Sequence, residues 1–157
     1  MNRPPLAALT IALLPLVTAC SGQHVNAAKG DPQHVNPTLA KEMVQAPATG
    51  HSVAADNSIP GDQQGKKFTA GQAVFVAFKV EHAPVGSQVR VDWYGPHDEK
   101  IASEAKTVSG PDVAMSFAEK ETQGWNEGTY RAEIWIADQR ADAEQFSIVQ
   151  PDSTGNG

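Results

Sequence analysis

The chain has a single cysteine, Cys20, among 157 residues. It therefore forms no intramolecular disulfide and cannot build a zinc finger, whose ligand sets need several thiolates or imidazoles at fixed spacing. Aromatic residues make up only 6% of the chain, and no apolar run reaches the ~17–25 residues that a spanning helix needs. Basic residues are scarce as well. Twelve Lys and Arg stand against 18 Asp and Glu, and the cations are dispersed, which argues against a nucleic-acid partner, whose phosphates need clustered cations. The familiar catalytic signatures are missing: there is no Gly-x-Ser-x-Gly, no His-Glu-x-x-His, no glycine-rich phosphate loop and no calcium loop. The sequence thus points to no catalytic residue, no cofactor and no resident metal, and the expectation is a protein that is not an enzyme.

What is present starts at the amino terminus. Residues 1–19 carry one positive charge at Arg3, a mostly apolar stretch from Leu6 to Ala19, and small residues before Cys20, which is the layout of a signal peptide. Within it, Val17-Thr18-Ala19-Cys20 resembles the lipobox of bacterial lipoproteins, although Leu is commoner where Val17 stands and Pro15 interrupts the apolar run. The resemblance implies cleavage between Ala19 and Cys20, a diacylglycerol on the Cys20 thiol and, usually, an acyl group on the new amino terminus. The expected partner of Cys20 is therefore a lipid bilayer and the expected location the cell envelope. In a Gram-negative host, Ser21 in place of Asp looks like the outer-membrane outcome, on the periplasmic or the surface side. Removal of residues 1–19 leaves 138, with 11 cationic and 18 anionic side chains, which suits one domain and a tether.

Residues 20–65 are rich in Gly, Pro, Ala, Asn, Gln, Asp and His and show no sustained alternation, so they read as the lipidated cysteine and a flexible linker. A helical turn or two at 37–44, with Leu39 and Met43 on one side, is expected to be marginal without a packing partner. Gln-His-Val-Asn occurs at both 23–26 and 33–36, and His51 follows. Imidazoles bind copper, nickel or zinc, which leaves a metal-carrying linker as an alternative, but no carboxylate or thiol lies at a fixed ligand spacing.

From 66 to 150 the pattern becomes short alternating runs separated by turn residues, the signature of an all-β domain. Seven strands are expected, at 67–70, 73–80, 88–94, 100–108, 112–118, 129–136 and 144–149. Their inward residues include Val74, Val76, Phe78, Val80, Val89, Val91, Trp93, Val113, Met115, Phe117, Tyr130, Ala132, Ile134, Ile136, Phe146 and Ile148, with Ile101 the only large inward residue of the weaker 100–108 strand. Seven antiparallel strands in so short a span suggest a two-sheet sandwich. Trp93 on the third strand and Asn126-Glu127-Gly128-Thr129-Tyr130 before the sixth resemble the core tryptophan and the tyrosine corner of immunoglobulin-like and fibronectin-III-like domains, with Asn126 in place of Asp and without the inter-sheet cysteines. A disordered tail is expected over 151–157.

The resemblance also implies which residues face outward on the sheet formed by the third, sixth and seventh strands. Tyr94, Trp135, Arg90 and Arg131 lie there with Asp92 and Glu133, and Tyr, Trp and Arg are the residues enriched at binding hot spots. The competing expectation is that the rings stack beneath the arginines. Strand order sends His82 and His97 to opposite ends, and gathers His97, Asp98, Glu99 and Glu127 at one loop end as a candidate cation site. It also starts the 67–70 strand at the end bearing loops 81–87 and 137–141, so the tether is expected there and the end with Trp125 and His97 is expected to be free. The functional expectation is a membrane-anchored envelope lipoprotein with a non-catalytic protein-binding or accessory module. An inhibitor of a periplasmic protease or cell-wall hydrolase is the alternative on the same fold.

Overall fold

The computed structural model describes residues 35–151. Cys20, the signal segment, the histidines at 24 and 34 and the tail from 152 lie outside the described residues. The first element falls within the segment expected to be linker. Asn36 caps a short helix, α1 (Pro37–Met43), by accepting the Leu39 N–H on its side-chain oxygen at 2.9 Å, and Pro37 occupies the first turn, where no amide donor is needed. Ala40 and Met43 are buried, so α1 has the packing partner that it lacks in isolation.

A strand, β1 (Val44–Gly50), follows without a break. It pairs antiparallel with β3 (Val74–Glu81), from Val44 opposite Val80 to Gly50 opposite Phe75. The linker expectation over 20–65 is thus corrected for 35–65: residues 37–50 form a helix and a strand of the domain, and 51–65 pack on them. The alternation is hidden because the register shifts between Gln45 and Ala48, where Ala46 adopts φ 49° and Pro47 supplies no amide hydrogen. Residues 51–66 then fold back over β1. His51 N–H donates to Gln63 O at 2.9 Å, Gly65 N–H donates to Thr49 O at 3.1 Å, and Ile59 is buried. Gly50 is required here, because a Cβ would lie 2.5 Å from Ile59 Cγ2 and 2.6 Å from Gln63 O.

The remaining strands are β2 (Lys67–Thr69), β4 (Gln88–Tyr94), β5 (Lys100–Thr107), β6 (Asp112–Glu119), β7 (Gly128–Ile136) and β8 (Gln139–Val149). They make two sheets, β1-β3-β6 and β2-β8-β7-β4-β5. The fold is therefore an all-β two-sheet sandwich with eight strands rather than seven, the addition being β1. Every strand pair is antiparallel except β2 with β8. Val74, Val76, Val80, Val89, Val91, Trp93, Phe117, Ile134, Ile136 and Ile148 are fully buried between the sheets.

Trp93 meets Phe146 edge to face at 6.0 Å, and Phe146 meets Phe68 likewise at 5.7 Å. The Tyr130 hydroxyl donates to Asn126 O at 2.8 Å, the return bond of a tyrosine corner, and Trp125 stacks on the Tyr130 ring at 4.6 Å. Gly128 has no room for a side chain, since a Cβ would sit 2.6 Å from Pro96 Cγ.

Strand directions place α1, the β3–β4 loop and the β7–β8 turn at one end. The β4–β5 turn, the β6–β7 loop and β2 lie at the other. The expected start of the 67–70 strand, at the end bearing loops 81–87 and 137–141, is corrected. The strand at 67–69 lies at the far end, beside the last residues of β8, and it is β1 that begins at the α1 end.

If α1 and β1 belong to the core, removing residues 1–50 should abolish cooperative unfolding, because one sheet loses a strand and Val35, Ala40, Met43 and Val44 leave the core. Circular dichroism melting of the shortened chain checks this. A flexible linker would leave the transition unchanged.

Candidate functional site

The outer face of the five-stranded sheet carries the side chains singled out in the sequence. β4 and β7 run antiparallel with Arg90 opposite Trp135, Asp92 opposite Glu133, and Tyr94 opposite Arg131. These pairs form three rows across the strands, and the side chains of each row lie within contact distance. The Arg90 guanidinium carbon sits 5.2 Å from the centroid of Trp135, and that of Arg131 sits 4.6 Å from the centroid of Tyr94. The arginines therefore lie over the rings, and both rings are half-buried.

The middle row is buried: Asp92 is 2% exposed and Glu133 6%. Arg90 Nε lies 3.2 Å from Asp92 Oδ2, Lys100 Nζ lies 3.3 Å from Asp92 Oδ1, and the Ser103 hydroxyl donates to Oδ1 at 2.6 Å. Around Glu133, Arg131 Nε lies 3.0 Å and Arg140 Nε 3.3 Å from Oε1. Each central arginine also reaches a turn. Arg90 Nη1 meets Asp138 Oδ1 at 2.8 Å in the β7–β8 turn, and Arg131 Nη2 meets Asp98 Oδ1 at 2.7 Å in the β4–β5 turn. The arrangement repeats about a local two-fold axis between Asp92 and Glu133. On each side an arginine covers a ring, touches a central carboxylate and holds an aspartate at a strand end.

Both turn aspartates have left-handed backbones, with φ 66° at Asp98 and 61° at Asp138. Asp tolerates that region better than most residues. Burial pushes the Asp92 carboxyl upward, but the Ser103 hydrogen bond and the charges of Arg90 and Lys100 outweigh it and hold the group below its ordinary value. The Asp98 hydrogen bond leads in raising Arg131, with Glu133 assisting.

Tyr94, Trp135, Arg90 and Arg131 are thus brought onto one face, with the two rings stacked beneath the two arginines. Lys100, Ser103, Arg140 and Asp138 belong to the same network and escape a strand-by-strand reading, because they arrive from β5, β8 and a turn. The visible signal was the repeat of Arg-x-Asp on β4 and Arg-x-Glu on β7. The indole N–H of Trp135 is buried and has no hydrogen-bond partner among the described residues.

The other candidates are not assembled. His82 and His97 are exposed at opposite ends. Asp98 is committed to Arg131, and Glu99 accepts the His97 backbone N–H at 2.9 Å. His51 packs its ring against Phe68 at 4.6 Å. No group of three or more His, Cys, Asp or Glu side chains able to hold a metal occurs among the described residues. No helix among them is long and apolar enough to cross a membrane.

No family model and no curated protein matches this chain. Among solved structures, it is similar to Pseudomonas fluorescens alkylpurine DNA glycosylase AlkC bound to DNA containing an abasic site analog. That similarity is at 12% identity and a TM-score of 0.39, over 72% of this chain and 33% of that one. The chain spans about a third of that enzyme, and the likeness is too slight to carry an argument about fold or activity.

Because the Asp92 carboxyl is lowered in the folded state, it stabilises the fold above the unfolded value of about 4, and that contribution is lost as pH falls through the lower folded value. Asp92→Asn should cost about 2 kcal/mol at pH 7, the scale of a hydrogen bond to a charged group. The deficit should shrink below about pH 4. Urea titrations of both proteins at pH 7 and pH 3 measure the difference.

Proposed function

We propose that the protein is a membrane-anchored lipoprotein of the cell envelope whose sandwich domain is a non-catalytic module that binds another envelope protein. The single cysteine in Val17-Thr18-Ala19-Cys20 supports the anchor. The outer face of β4 and β7 supports the module. It presents two aromatic rings and two arginines in fixed positions, and side chains already held in place lose less entropy on association. Because Asp92, Glu133, Asp98 and Asp138 neutralise Arg90, Arg131, Lys100 and Arg140, the face offers packing area and directed hydrogen bonds rather than net charge. This agrees with an acidic chain that has no use for a polyanion. In a Gram-negative host, Ser21 favours the outer membrane.

Two measurements test the reading. Cys20→Ala should abolish incorporation of labelled fatty acid and move the protein out of the membrane fraction. With the acylated protein as bait, Trp135→Ala should weaken capture of the partner by roughly 30-fold, about 2 kcal/mol, while melting shows the domain still folded. Undiminished capture would remove the face from the proposal.

A further inference from the structure

The ordered start of the domain changes how it stands on its anchor. Residues 21–34 are all that separate Cys20 from the first described residue, Val35, so the domain begins no farther than about 50 Å from the anchor even with every residue extended. The chain joins the domain at the α1 end, because β1 starts there, opposite Val80. Val35, Ala40 and Met43 fit α1 into that end of the sandwich, in one cluster with Ala83, Val108 and Ala141.

Three large apolar side chains are exposed among the described residues, and two of them are at this end: Leu39 on α1, at 42%, and Val85 in the β3–β4 loop, at 61%. The third, Ile101, expected inward from the sequence, is instead exposed, near the opposite end of the edge strand β5. Single exposed apolar residues are ordinary on protein surfaces. Here their placement coincides with the end to which the anchor leads.

We propose that the α1 end is a lipid-facing surface: with Cys20 in the bilayer, Leu39 and Val85 rest against the membrane and hold the sandwich upright. This inference rests on the lipoprotein reading above. The eleven residues of β8 span about 36 Å, so the β4–β5 turn and the β6–β7 loop stand roughly that far above the lipid, facing away from it. Electrostatics gives the contact its character. At this end Glu81 is paired with Lys79, Asp138 with Arg90 and Arg140 with Glu133; the exposed Lys41 stands next to Glu42 on α1, Asp112 adds an exposed negative charge, and among the described residues no cluster of cations faces outward. The contact is therefore apolar and independent of anionic lipid, unlike that of a polybasic segment.

The test uses the full acylated protein in phosphatidylcholine vesicles containing a nitroxide-labelled lipid. An environment-sensitive fluorophore is attached in turn at Leu39→Cys, Val85→Cys and His97→Cys. Probes at 39 and 85 should be quenched and blue-shifted while the probe at 97 is not, and neither added phosphatidylglycerol nor high salt should change this. Vesicle-bound protein with equal or no quenching at all three sites overturns the orientation and leaves the anchor standing. Protein that fails to float with the vesicles overturns both. Protection of sites 39 and 85 only when another envelope protein is added would make the surface a protein contact, and would equally overturn the proposal.

Discussion

Asp92 and Glu133 face each other across β4 and β7, both nearly buried, and much of the outer sheet follows from keeping these two charges compatible. Like charges directly opposite one another destabilise a sheet, and a buried carboxylate without a partner would cost several kcal/mol. Four cations resolve the conflict, two for each carboxylate: Arg90 and Lys100 on Asp92, Arg131 and Arg140 on Glu133. Each central arginine sits two residues before its carboxylate on the same strand, and so on the same face. From there its ring-side surface falls on the aromatic residue of the neighbouring strand. Its remaining donors reach the turn aspartates, which fixes the β4–β5 and β7–β8 reversals relative to the centre of the sheet. One electrostatic requirement thereby positions the rings, the arginines and two turns.

The same dependence explains what the sequence could disclose. β3, β4, β6 and β7 alternate cleanly, so their faces were readable, as were Trp93 and the Asn126-to-Tyr130 corner, whose contacts are local. β1 was not readable. Its only large apolar residue is Val44, and the bulge at Ala46 and Pro47 destroys the period on which strand recognition depends. The capping of α1 by Asn36 and Pro37 was present in the sequence, but the hollow that receives Ala40 and Met43 exists only after distant strands assemble. Asp98 illustrates the remaining difficulty. Its neighbours His97 and Glu99 suggested a cation site, whereas its partner is Arg131, 33 residues away. Turn residues declare their backbone preference locally and their charge partners only in three dimensions.

A sandwich without a disulfide must close its sides by other means, and the two sides of this one differ. Where the free edges of β5 and β6 approach, Lys106 donates to Ser116 O and lies 4.6 Å over the Phe117 ring, while Glu104 accepts the Ala118 N–H at 3.2 Å. These side chains occupy edge groups of β6 that would otherwise be open to another strand. The opposite side is covered by residues 51–66, which fold back on β1, with His51 N–H donating to Gln63 O and Gly65 N–H to Thr49 O. This division bears on what the proposed module presents. With one edge capped by charged side chains and the other covered by its own chain, strand addition is disfavoured, and a partner meets side chains rather than backbone. The face best built for that is the outer surface of β4 and β7. Its rings and guanidiniums are already fixed to one another, so specificity there would come from shape and hydrogen-bond direction, with little of the salt dependence that an unpaired arginine cluster would confer.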